Sequence, residues 1–116
     1  MKLMTKQLEK RFAKVGPWGI TDAPTMTDFK KNEPDPVIIA HYFHPFSNWD
    51  WYAVEYDPEK RLFFGLVSGH EVELGYFSLD ELESVKVRGL GIERDLYWTE
   101  KPLSEVKRKA LERRRA

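Results

Sequence analysis

The sequence predicts an α+β domain: an antiparallel sheet of about four strands, built as a meander, with helices packed on one face. Three observations predict it. Residues 51–57, 62–67 and 72–76 alternate in character, with Tyr52, Val54 and Tyr56, then Leu62, Phe64 and Leu66, then Val72, Leu74 and Tyr76 on one side. Turn-forming residues, Asp57-Pro58-Glu59-Lys60 and Ser68-Gly69-His70, separate these runs, so consecutive strands reverse direction. Near the start of the chain the apolar spacing lengthens to three and four residues, which is the period of a helix.

Taken in order, residues 3–15 align Leu3, Met4, Leu8, Phe12 and Val15 in one stripe and leave Lys6, Lys10 and Lys14 off it. This is an amphipathic helix, stopped by Gly16-Pro17 because proline disfavours helical geometry in the residue before it. Residues 16–36 hold Pro17, Pro24, Pro34 and Pro36 and read as a long connecting loop. The β-branched and aromatic run 37–43, VIIAHYF, is a strand and leads into the meander. Ser78-Leu79-Asp80-Glu81 has the spacing of a capping box and starts a helix running from Leu79 to about Val85. RGLG at 88–91 breaks the chain, DLYW at 95–98 adds a short strand, and Pro102 opens a basic helix and tail over 103–116.

The 116 residues suffice for a single domain, 1–116, with one core. The absence of cysteine excludes disulfides, thiolate metal sites and cysteine nucleophiles. The N-terminus has no apolar run of signal-peptide length, and no stretch approaches the roughly 20 apolar residues of a membrane span. A soluble, cytoplasmic protein without a membrane partner is expected. The net charge of zero conceals an uneven distribution. Residues 1–15 carry five Lys/Arg against one Glu, residues 101–116 seven against two, and the segment between them seven against sixteen Asp/Glu. Basic ends flanking an acidic middle fit a nucleic-acid footprint, or an internal match between basic helices and an acidic sheet face.

On a helix, Lys6, Lys10 and Lys14 recur every four residues and form one ridge able to track phosphates. Together with Lys107, Arg108, Arg113 and Arg114 of the last helix they are the candidate nucleic-acid-binding residues, with contact restricted to the helical side. The meander defines a second candidate. If even positions pair with even ones, the other face sets Ala53, Gly65 and Glu73 in one row, Glu55, Phe63 and Gly75 in the next, and Trp51, Val67 and Glu71 in the last. Trp51, Glu55, Phe63, Gly65, Glu71 and Glu73 then rim an interface or pocket, unless the N-terminal helix or the long loop covers it. Paired carboxylates on such a face serve hydrolases and metal-dependent nucleases, but no oxyanion donor accompanies them in the sequence. His41 and His44 fall on opposite faces of a strand, and His70-x-x-Glu73 is not a ligand spacing, so no metal or cofactor is expected.

The stretches NWDWYAVEYDPEKRLFFGLVSGHEVELGYFSLDEL, IERDLYW and LMTKQLEKRF closely resemble the bacterial proteins grouped as domain of unknown function 2958. The resemblance covers nearly the whole chain apart from the loop near 16–36 and the basic tail, and it brings no catalytic residues with it. It implies an accessory protein of plasmids, integrative elements and other mobile DNA. Three readings stand beside one another. One is a non-enzymatic binding protein that contacts nucleic acid, or a nucleic-acid-associated protein, through its basic helices. The second is an adapter or homodimeric inhibitor working through the Trp51/Phe63/Gly65 face. The third is a small hydrolase or metal-dependent nuclease.

Overall fold

A computed structural model describes residues 2–15 and 36–115 of the chain; apart from Pro36, the expected loop lies outside the described residues. Helix α1 spans Lys6–Val15. It starts later than the apolar stripe suggests because the Thr5 hydroxyl accepts a hydrogen bond from the Leu8 amide (3.1 Å), an N-cap that sets the first turn. Leu3 and Met4 precede the cap and are buried all the same.

The expected strand 37–43 is divided. β1 (Val37–Ile38) pairs with β9 (Lys101–Pro102), while β2 (Ala40–Phe43) joins the main sheet. The meander follows as β3 (Asp50–Asp57), β4 (Leu62–Ser68) and β5 (Val72–Ser78), and β8 (Glu93–Arg94) adds to the other edge. The result is a five-stranded antiparallel sheet in the order β5-β4-β3-β2-β8. The serine half of the expected capping box is present: the Ser78 hydroxyl accepts from the Glu81 amide (2.9 Å) and starts α2 (Leu79–Ser84). RGLG is not a simple break. It belongs to a small hairpin, β6 (Lys86–Val87) and β7 (Leu90–Gly91), whose turn residues Arg88 and Gly89 both have positive φ, 54° and 80°. DLYW forms no strand; β8 lies just ahead of it, and Asp95 turns the chain by accepting from the Tyr97 amide (3.0 Å). The last helix, α3, runs Leu103–Arg115.

The α+β class and the antiparallel meander stand, but the helices divide between the two faces. Leu3, Met4 and Phe12 at α1 and Leu79 and Leu82 of α2 pack with Ala40, Tyr42, Ala53, Phe63 and Phe77 on what we call the back face. Leu103 and Val106 of α3 pack with Ile38, Tyr52, Val54 and Leu66 on the front face. One sheet thus separates two apolar clusters, because both sets of alternating positions in its central strands are apolar enough to bury.

Two register corrections follow. A β-bulge between Ala53 and Glu55 gives β3 one extra residue, so Glu55 sits opposite Phe64 and Tyr56 opposite Phe63. Tyr56 therefore joins the back face, with its ring 4.7 Å from that of Phe63, instead of following Tyr52 and Val54. Between β4 and β5 the pairs are Val67 with Glu73, Gly65 with Gly75, and Phe63 with Phe77, two residues away from the expected alignment. Leu74 is half-buried and Tyr76 is 47% exposed, so the front-face stripe is covered at Tyr52, Val54 and Leu66 and thins toward the β5 edge.

Candidate functional site

The best-organised polar cluster of the front face forms around His41 of β2. Its Nε2 lies 2.7 Å from Asp50 Oδ1 at the start of β3, and its Nδ1 lies 2.9 Å from Asp95 Oδ2, just after β8. A carboxylate accepts and cannot donate, so both contacts are hydrogen bonds when both ring nitrogens carry hydrogen. Antiparallel pairing places His41 beside Tyr52, and the two rings stack with centroids 4.6 Å apart and planes at 8°. Trp98 packs beside both rings, 5.3 Å from the imidazole and 5.8 Å from Tyr52, and is fixed by its indole N–H donating to the Ile38 carbonyl (3.0 Å). Lys101 lies over the Trp98 ring at 4.3 Å, a cation–π contact. From α3, Arg113 Nη2 donates to the Tyr52 hydroxyl (3.3 Å). Burial, followed by the Asp50 charge, holds the Tyr52 phenol above its ordinary pKa.

Arg113 stands between two hollows. One, of about 560 Å³, is lined by Tyr52, Trp98, Lys101, Val106, Lys109 and Arg113, among others. The other, of about 780 Å³, lies at the end of the sheet between Ser47, Trp49, Asp50, Ser68, His70 and Arg113. Its aromatic wall exists because Gly69 has no side chain: a Cβ there would run into the Trp49 ring. With both nitrogens held by carboxylates, His41 is poorly placed as a general base and well placed to fix Asp50, Asp95 and the Trp98 wall.

Lys6, Lys10 and Lys14 are exposed on α1, whose inward side carries Phe12, 4% exposed. No described carboxylate is within ion-pairing distance of these lysines. The cations of α3 differ. Arg108 pairs with Glu112 (3.0 Å), Lys109 approaches Glu105 (3.9 Å), Arg113 engages Tyr52, and Lys107 is half-buried. The Arg114 side chain is outside the described residues. With α1 on the back face and α3 on the front, the two basic sets do not share one side of the sheet.

The residues expected to rim a sheet-face pocket are scattered. Phe63 and Gly65 are buried and Trp51 half-buried on the back face, under the chain's own N-terminal segment and α2. The bulge turns Glu55 to the front face, buried at 5% exposure, whereas Glu71 and Glu73 are exposed at and beyond the β4–β5 turn. These carboxylates therefore do not form a pair across one cleft. Gly65 does admit a close neighbour, as a strand glycine often does, but that neighbour is the Tyr52 carbonyl of the adjacent strand. The sequence reading missed the His41 cluster, since Asp95 lies 54 residues from His41 and no short spacing joins them.

No described helix is long and apolar enough to cross a membrane, and among the described residues no three His, Asp or Glu side chains converge as metal ligands. Fold and site together define a small α+β domain with an outward cationic helix on one side and a mixed polar and aromatic groove on the other. The chain belongs to the family described as protein of unknown function DUF2958, whose model matches residues 19–115. That span includes most of the 16–36 loop and of the basic tail, which the resemblance left out, and omits α1, which it included. No curated protein and no solved structure matches the chain.

Proposed function

We propose that this chain is a non-enzymatic accessory protein of mobile DNA that binds nucleic acid through the outer ridge of α1. The observation carrying this reading is that Lys6, Lys10 and Lys14 are exposed along one helix face and make no ion pair with described carboxylates, while Arg108 and Lys109 of α3 lie against glutamates of their own helix. Cations not already matched by acids gain most from phosphate, because contact releases condensed counterions. Lysine fits phosphate as a point charge and reads no base edges, so binding is expected to be indifferent to sequence.

Fluorescence anisotropy with short labelled single- and double-stranded DNA and RNA at low salt tests the proposal. Three phosphate contacts predict a log–log salt slope of roughly −2 to −3. Changing Lys6, Lys10 and Lys14 together to Glu is expected to abolish binding. Absence of binding at low salt, or indifference to the triple change, overturns the reading. The protein-adapter reading then leads, favoured by Leu96 and Tyr97, neighbours in the chain that are 61% and 92% exposed.

A further inference from the structure

β5 is a seven-residue strand at the end of the sheet, and no described strand pairs with its outer edge. The direction of its backbone groups follows from two bonds at its ends. The Leu79 amide donates to the Arg61 carbonyl (2.9 Å), and the Glu71 carbonyl accepts from the Gly69 amide (3.0 Å). In an antiparallel ladder alternate residues turn their N–H and C=O to the same neighbour, so Glu73, Gly75 and Phe77 face β4, whereas Val72, Leu74 and Tyr76 face outward. The strand keeps an unbroken register with β4 and contains no proline; Glu73 is its one charged residue. It lacks most of the devices that keep edge strands from pairing.

We propose that β5 pairs antiparallel with β5 of a second copy, about a twofold axis at Leu74, to form a homodimer with one sheet continuous through both chains. This inference does not rest on nucleic-acid binding. The Leu74 axis is favoured because it pairs outward-facing residues with outward-facing residues and stops short of α2; an axis at Tyr76 would run the partner strand into Leu79–Ser84. On the front face it sets Val72 beside the partner's Tyr76 and Leu74 beside the partner's Leu74, covering apolar side chains that the single chain leaves partly exposed. On the back face Glu73 falls opposite the partner's Gly75, where a Cβ would meet nothing within 4 Å. The one charge on the edge therefore meets an open space and no like charge. The axis is perpendicular to the sheet, so both α1 ridges end on the same side of the dimer.

Sedimentation equilibrium of the full chain over a wide concentration range tests this, with circular dichroism to confirm folding. A species of twice the chain mass is expected, together with concentration-dependent protection of the Leu74 amide in hydrogen exchange. Gly75→Glu sets like charges opposite each other twice and is expected to weaken dimerisation roughly tenfold, whereas Gly75→Lys strengthens it. Adding Glu73→Lys to Gly75→Glu restores the opposite-charge pairs and the affinity. A monomer at millimolar concentration overturns the proposal. So does a dimer indifferent to all three variants, which would place the contact elsewhere.

Discussion

A Cβ added at Gly65 would run into the Tyr52 carbonyl oxygen, whereas one at Gly75 would find open space, although the two glycines are direct partners in neighbouring strands. Backbone cannot yield as a flexible side chain can, so Gly65→Ala is expected to destabilise by about 3 kcal/mol or more. Gly75→Ala should be neutral, or stabilising by up to about 1 kcal/mol, since glycine costs entropy inside a strand. Urea denaturation of the two variants checks the contrast. The His41 cluster yields a second residue-scale prediction. His41→Leu would leave Asp50 and Asp95, at 18% and 25% exposure, without the imidazole between them, although Asp95 keeps the Tyr97 amide, at an expected cost of about 2–3 kcal/mol. Changing both aspartates to Asn in the same chain should recover part of that loss, because neutral amides tolerate the apolar neighbour better than charges do. An unchanged midpoint in His41→Leu would show that the cluster is ornamental to stability.

At the scale of elements, attachments more than intrinsic propensity hold the helices. The segment entering α1 is tied to β2 by the Tyr42 hydroxyl, which donates to the Leu3 carbonyl (2.8 Å) from a fully buried ring. α2 is tied to the β3–β4 turn by Arg61, which bonds Asp80 (2.8 Å) and Glu83 (2.7 Å). Burial pushes the Tyr42 phenol well above its ordinary pKa of 10.0, and also raises Tyr52 and Tyr56. A group with a raised folded pKa contributes stability that is complete below its unfolded pKa and is lost as pH rises through the folded value. Stability is therefore expected to be level on this account up to about pH 10 and to fall above it. Tyr42→Phe should lower stability at pH 7 by about 1 kcal/mol, through the lost hydrogen bond, and flatten the alkaline decline. Chemical denaturation at pH 7 and above pH 10 measures both effects, and an equally steep decline in the variant would contradict the assignment.

Across the whole molecule, the sheet stands between two apolar clusters and keeps the basic helices on opposite sides. This arrangement bears on the proposed function: a ligand held by α1 does not reach the α3 groove without passing the sheet edge. Changing Lys6, Lys10 and Lys14 to Glu is accordingly expected to remove nucleic-acid binding while shifting folding stability by no more than about 0.5 kcal/mol, as usual for exposed positions that pair with no described carboxylate. A large loss of stability in that variant would mean that the lysines serve the fold instead.

The sequence alone determined the α+β class, the antiparallel meander, the Ser78 cap and the lysine ridge of α1, because each rests on local chemistry: alternation, turn residues, side-chain capping or helical spacing. What it left open depends on contacts between distant segments. Both faces of β3 and β4 carry apolar side chains, so alternation could not say that α1 and α2 would cover one and α3 the other. The bulge after Ala53 reverses which side Glu55 and Tyr56 face without changing the residue pattern from which they were read. Only the tertiary structure brought Asp95 to His41 across 54 residues and set Arg113 on Tyr52 across 61, since a side chain's partners are chosen by packing and not by its neighbours in the chain.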